Sequence, residues 1–164
     1  KPELTDEALS EVLRESLSLR APKVGCNAGD CGACTVILDG DPVCACLVPA
    51  GQLAGRQVET AESLAASDDT LSALQASFLR HGAAQCGVCT PGMMMAATAL
   101  LRQNGAPDRK SVEDALGGVL CRCTGYAKII DAVMDAGRTV ADNPAPAAGA
   151  AIGAAVERLS LIHI

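Results

Sequence analysis

The chain has 164 residues and a formal net charge of −6, and 49% of it is hydrophobic although it contains one Tyr, one Phe and no Trp. The acidic balance argues against a nucleic-acid backbone or an anionic membrane as partner, and no apolar run approaches the ~18 residues of a membrane span. With so few aromatics the core must come from Leu, Val, Ile, Ala and Met, and a chain this small leans on metal or disulfide staples.

Residues 5–17, TDEALSEVLRESL, carry Ala8, Leu9, Val12, Leu13 and Leu17 on one helical stripe. Thr5 is the expected N-cap, and Asp6 and Glu7 stand where the helix dipole favours acids. A Gly-rich loop follows from Gly25 to Ala33. TVILD (35–39) and PVCAC (42–46) predict a hairpin around Gly40-Asp41, and Pro42 predicts that its returning strand is short or lies at an edge. From about Ser67 the pattern turns helical, with Leu71, Leu74, Phe78 and Leu79 in one stripe ended by Gly82. A second helix opens at Pro91 with Thr90 as N-cap and runs through Met95, Leu100 and Leu101 to Asn104-Gly105. A short third begins at Ser111, whose partner Asp114 imitates a capping box. A fourth covers about 126–140, with Ile129, Ile130, Val133, Met134 and Val140 inward. The expected organisation is α+β: a mixed domain over 1–62, a helical domain over 67–140, and an Ala/Pro/Gly-rich linker over 141–158.

The nine cysteines fall into two groups. Cys26, Cys31 and Cys34 show the C-x4-C-x2-C spacing of a plant-type [2Fe–2S] site, which takes a fourth Cys farther along. Cys44 and Cys46 both follow; two apart on a strand they would face the same side, and one is needed. Gly25, Gly29 and Gly32, with Ala28 and Ala33, let the backbone fold tightly and point N–H groups at sulfur, which raises a reduction potential. In the second group, Cys86 and Cys89 precede the helix opened by Pro91, where free N–H groups stabilise anionic ligands. Cys121 and Cys123 diverge by about 200° on a helix, so they require a loop, and Gly117-Gly118 and Gly125 permit one.

Two four-thiolate sites in so short a chain imply electron transfer between clusters. A disulfide scaffold is opposed by the odd count, the tight C-x2-C pairs and the lack of a visible signal peptide. Zinc prefers paired knuckles, and only Cys86/Cys89 stands as a clean one. Arg122, between two cysteines, either neutralises cluster charge or is a solvated surface residue. Met93, Met94 and Met95 read as core filling, and the lone His81 and His163 as neither catalytic nor metal-binding, which argues against a Rieske-type site.

GCNAGDCGACTVILDGDPVCACLVP (25–49), QCGVCTPGMMM (85–95) and LCRCTGY (120–126) closely resemble the iron–sulfur subunit of the molybdenum hydroxylases, the xanthine dehydrogenase, aldehyde oxidoreductase and carbon monoxide dehydrogenase group. The likeness covers about residues 3–140. It implies a plant-type ferredoxin-like (β-grasp) domain, N-terminally truncated because the family's opening hairpin is missing, followed by an all-α four-helix-bundle-like domain. Each would hold one [2Fe–2S] cluster. It selects Cys46 over Cys44, so that Cys26, Cys31, Cys34 and Cys46 ligate one cluster and Cys86, Cys89, Cys121 and Cys123 the other. Cys44 is then a small hydrophobe. The resemblance also implies electron flow from a molybdopterin centre, through the helical-domain cluster and then the ferredoxin-like one, to a flavin (FAD) or external acceptor. Gln85 and Cys123 would lie beside the pterin. The molybdenum centre would sit on a partner domain or subunit, with the linker pointing to C-terminal fusion, and the compartment expected is the cytoplasm. A free-standing two-cluster carrier is the alternative. The final residues LSLIHI (159–164) match the translation of CTGTCTCTTATACACATC, the transposon end used in sequencing-library preparation, and are expected to be adaptor read-through.

Overall fold

A computed structural model describes residues 6–65 and 70–142. The expected cap Thr5, the helix start near Ser67, the linker beyond Asp142, His163 and the LSLIHI end all lie outside the described residues, as does the side chain of Val140.

Helix α1 (Leu9–Glu11) widens into a π-type turn over Val12–Ser16, closed by the Leu17 N–H on the Val12 carbonyl at 3.0 Å. It starts later than the sequence predicts. Ala8 is extended and bridges Pro49, and the Leu9 N–H is donated to the Val48 carbonyl at 2.8 Å, so the backbone there is already committed to a strand-like pairing. Leu9, Val12 and Leu13 are buried as the stripe requires.

Strands β1 (Thr35–Leu38), β2 (Asp41–Cys44) and β3 (Val58–Glu59) form an antiparallel sheet in the order β2-β1-β3. The hairpin loop is Asp39-Gly40, one residue earlier than expected: both have positive φ (50° and 98°), and Leu38 pairs with Asp41. That is the primed-turn geometry that suits strand twist. Pro42 lies on the edge strand, where its missing N–H costs no ladder bond. β2 stops at Cys44, and Cys46 stands in a 3-10 turn over Ala45–Leu47, so the two cysteines do not share a strand. β3, two residues long, is too short for any periodicity to announce.

Four helices follow. Helix α2 (Ala73–His81) is capped by Ser72 in a reciprocal box with Gln75 and ended by Gly82 in the left-handed region. Leu74 and Phe78 face inward, but Leu79 is 71% exposed and Leu71 precedes the helix, so the expected stripe is narrower. Helix α3 (Thr90–Gln103) begins at Thr90 itself, with Cys89 in the cap position, not Thr90. Helix α4 (Arg109–Leu116) is capped by Asp108, which accepts the Ser111 N–H at 2.8 Å. Ser111 is therefore inside the helix, and Asp114 pairs with Lys110 instead. Helix α5 (Ala127–Asp142) buries Ile129, Ile130 and Val133 as predicted.

One core gathers Leu9, Leu13, Val36, Leu38 and Val58 under the sheet; another gathers Phe78, Met93, Val112, Leu116, Ile129 and Val133 among the helices. β1 joins them. Its alternating side chains send Val36 and Leu38 into the first core and Ile37 the other way, against Met95 and Ala99 of α3. That two-sided burial explains why TVIL lacks a polar face.

Candidate functional site

All nine cysteines are free thiols, and the fold gathers them at two places. The first is the loop 25–34 with the turn after β2. Cys26 Sγ accepts N–H groups from Ala28 at 3.3 Å and Cys31 at 3.4 Å, which pull its thiol down to about 7. Cys46 is pushed up, first by burial and then by the Cys34 thiol; the Gly29 N–H acts the other way. Cys34 is buried, Cys31 and Cys46 half-buried, and Cys26 exposed. Cys44 belongs to the same neighbourhood: its thiol donates to the Gly29 carbonyl at 3.5 Å, and burial pushes it up. The loop has no room to spare. Gly29 (φ +80) has Leu47 where a Cβ would sit, and Gly25 has Cys31 Sγ there at 2.9 Å.

The second place lies between two helix ends. Gly87 (φ +84) turns the chain so that Cys86 and Cys89 both precede α3. Cys121 and Cys123 occupy the loop between α4 and α5, outside any helix, as their spacing demanded. Cys123 Sγ donates to Cys86 Sγ at 3.6 Å. Cys86 is pulled down by the Val88 N–H and then by Cys123, and Cys123 is pushed up by the same contact. Cys89 is buried, which with the Cys121 thiol pushes it up to about 12. Burial also raises Cys121, but the Thr124 side chain and the backbone N–H groups of Thr124 and Cys123 outweigh it and leave the thiol lowered.

Gln85 stands at the exposed edge of this second group, and its Nε2 donates to the Cys123 carbonyl at 3.0 Å. Gln85, Cys86 and Cys123 thus share one solvent-facing edge. Arg122 is exposed and forms no ion pair among the described residues. His81, shortly before Cys86 in the chain, turns to Asp135 at 3.2 Å, in a link between α2 and α5.

The two places touch. The Leu120 N–H donates to the Cys31 carbonyl at 2.9 Å, joining the residue before Cys121 to a cysteine of the first group. Glycines make that approach feasible. A Cβ on Gly32 (φ +65) would strike the Gly118 carbonyl, and one on Gly92 would strike the Gly32 carbonyl. Sequence reasoning placed Gly32 and Gly118 near their cysteines but did not foresee this seam between them, nor the roles of Thr124 and Tyr126. The chain's one Tyr, beside the last cysteine pair, was the available signal. Its hydroxyl accepts the Cys121 N–H at 2.9 Å and donates to the Val119 carbonyl at 3.2 Å.

Among the described residues no three His, Cys, Asp or Glu side chains converge on a single metal ion. A two-iron cluster asks for something else: four thiolates shared between two irons, with backbone N–H groups aimed at sulfur. Both groups offer thiols as donors, and Cys26 shows such N–H groups on its sulfur.

Residues 60–134 match the [2Fe-2S] binding domain family. The chain is 50% identical over 130 residues to the nicotine 6-hydroxylase small subunit of Paenarthrobacter nicotinovorans, covering 79% of this chain and 78% of that one. It is 45% identical over 135 residues to the aldehyde oxidoreductase of Megalodesulfovibrio gigas, covering 80% of this chain but 15% of that much longer one. Among solved structures, the quinoline 2-oxidoreductase of Pseudomonas putida 86 superposes with a TM-score of 0.80 at 44% identity, over 88% of this chain and 87% of that chain. The described residues include no helix long and apolar enough to cross a membrane. Small-subunit likeness along most of both chains, added to the thiol geometry, makes this chain a member of the iron–sulfur subunits of the molybdenum hydroxylases, the electron-transfer part of an oxidoreductase.

Proposed function

We propose that the chain holds two [2Fe–2S] clusters and carries electrons between a molybdopterin centre and a flavin or external acceptor. Cys26, Cys31, Cys34 and Cys46 hold one cluster, in a ferredoxin-like unit over 1–62; Cys86, Cys89, Cys121 and Cys123 hold the other, in a helical unit over 67–140. Each bound cluster supplies a one-electron store. The chain's residues supply the rest: thiolates to bind, N–H groups to stabilise added charge, and a short path between the stores.

The observation that carries this reading is the Leu120–Cys31 hydrogen bond. It makes a route from Cys121 through one backbone step and one N–H···O contact to Cys31. Two thiol groups built for unrelated purposes would not need their loops pressed together with glycine on both sides. The shared edge of Gln85, Cys86 and Cys123 supports the order of transfer, since it is where a pterin-bearing partner would dock. Gln85 then orients the Cys123 backbone and offers its amide to the pterin. Relatives come both as small subunits and as stretches of a longer chain, so the molybdenum centre lies on a partner subunit or a fused domain. A reducing cytoplasm, which leaves nine thiols available to iron, is the compartment we assign.

Iron and acid-labile sulfide analysis of the purified chain tests the proposal. About four of each per chain is expected for two clusters; two of each, or stoichiometric zinc in a colourless protein, would refute it.

A further inference from the structure

We propose that the Thr124 hydroxyl is a positioning donor that raises the reduction potential of the helical-unit cluster through the Cys121 sulfur. The inference rests on reading Cys121 as an iron ligand. Thr124 Oγ1 lies 3.0 Å from Cys121 Sγ. The same oxygen accepts the Tyr126 N–H at 3.2 Å, which occupies a lone pair and leaves the single hydroxyl proton for the sulfur. A sulfur bound to iron carries no proton of its own, so the direction of the bond is fixed: Thr124 donates.

The local backbone is bent to make this contact. Gly125 (φ 62) and Tyr126 (φ 65) are both left-handed, an arrangement a tyrosine adopts at a cost. The bend returns the Tyr126 N–H to Thr124 and brings the Tyr126 hydroxyl onto the Cys121 N–H and the Val119 carbonyl. Cys121 therefore spends its own N–H on tyrosine, and its sulfur takes a side-chain hydroxyl. Cys26 in the first group is served differently, by the backbone N–H groups of Ala28 and Cys31. The second group thus adds to its backbone N–H donors one that substitution can remove, whereas the N–H groups on Cys26 belong to the backbone.

Reduction adds one electron to the cluster; no bond breaks and no proton moves. The added charge spreads onto the thiolate sulfurs, and a donor already aimed at one of them stabilises the reduced form more than the oxidised form. Removing that donor must lower the potential.

The test is an EPR-monitored titration with dithionite of the iron-loaded chain, comparing wild type with Thr124→Val, Thr124→Ala and Thr124→Ser. We expect both cluster signals in every variant, a lower midpoint for one signal in T124V and T124A, and a wild-type midpoint in T124S. Unchanged midpoints in T124V and T124A overturn the proposal, as does an equal fall in T124S. Loss of one signal in both T124V and T124A overturns it too, because the hydroxyl would then serve assembly and not potential. Cys121→Ser separates the premise from the inference: a chain that keeps both wild-type signals without the Cys121 thiol refutes the ligand reading itself.

Discussion

In the first thiol group a glycine-rich loop turns its own N–H groups onto sulfur, whereas in the second the sulfurs lie near helix ends and add side-chain contacts to their backbone N–H groups. The first is local: Cys26 to Cys34 lie within one short loop, and Cys46 arrives on the turn after a hairpin. The second is assembled over a long loop closure, with Cys86 and Cys89 brought to Cys121 and Cys123 only when α3, α4 and α5 pack. A local site is set by backbone conformation and tolerates little substitution of glycine. An assembled site depends on the helical core behind it and exposes its chemistry to side-chain tuning.

The largest expected effects break one site and spare the other. Cys34→Ser should remove the first cluster and Cys89→Ser the second, each leaving about half the iron and one EPR signal; iron analysis with spectroscopy reads both, and loss of all iron from either variant would deny their independence. Next, Gly32→Ala should cost at least ~2 kcal/mol in unfolding, because alanine is strained at positive φ and its methyl would meet the Gly118 carbonyl. Gly40→Ala, with open space around it, should cost less, so the difference between them measures the seam between the sites. Within the first group, Cys44→Ala should keep its cluster while Cys46→Ala loses it. The reverse outcome would make Cys44 the ligand.

A smaller effect concerns the scaffold of the second site. Arg80, then Ser77 and His81, hold the Asp135 carboxyl well below the usual range and tie α2 to α5. A depressed folded pKa adds stability that is complete above the unfolded value of about 4 and lost as pH falls below it. Asp135→Asn should thus weaken the chain by about 1 kcal/mol at neutral pH, with the gap to wild type closing in acid. Smallest of all, Leu79→Lys should change unfolding by under ~0.5 kcal/mol, since its side chain is 71% exposed.

The same contrast decides what the amino-acid sequence could reveal. Cysteine spacing is covalent, so C-x4-C-x2-C was legible at once, and the need for a loop at Cys121-x-Cys123 followed from helix geometry alone. Helix interiors were legible through Leu74, Phe78, Ile129 and Val133, because burial imposes a period. Boundaries were less so. Ala8 is drawn out of α1 by Pro49, and Asp108 outcompetes Ser111 as a cap, both through contacts that periodicity does not encode. β3 and the Leu120–Cys31 link belong to tertiary structure, since neither residue pair is near in sequence. Thr124 looked like part of a motif and nothing more; only its 3.0 Å approach to sulfur gives it a task.

The central claim is that two clusters sit in electronic contact across the Cys31–Leu120 seam. EPR of the fully loaded, dithionite-reduced chain tests it most directly. The account predicts two distinct [2Fe–2S] signals of about one spin each, which broaden or split when both clusters are reduced. A single signal, or two that ignore each other at every stage of reduction, would contradict it.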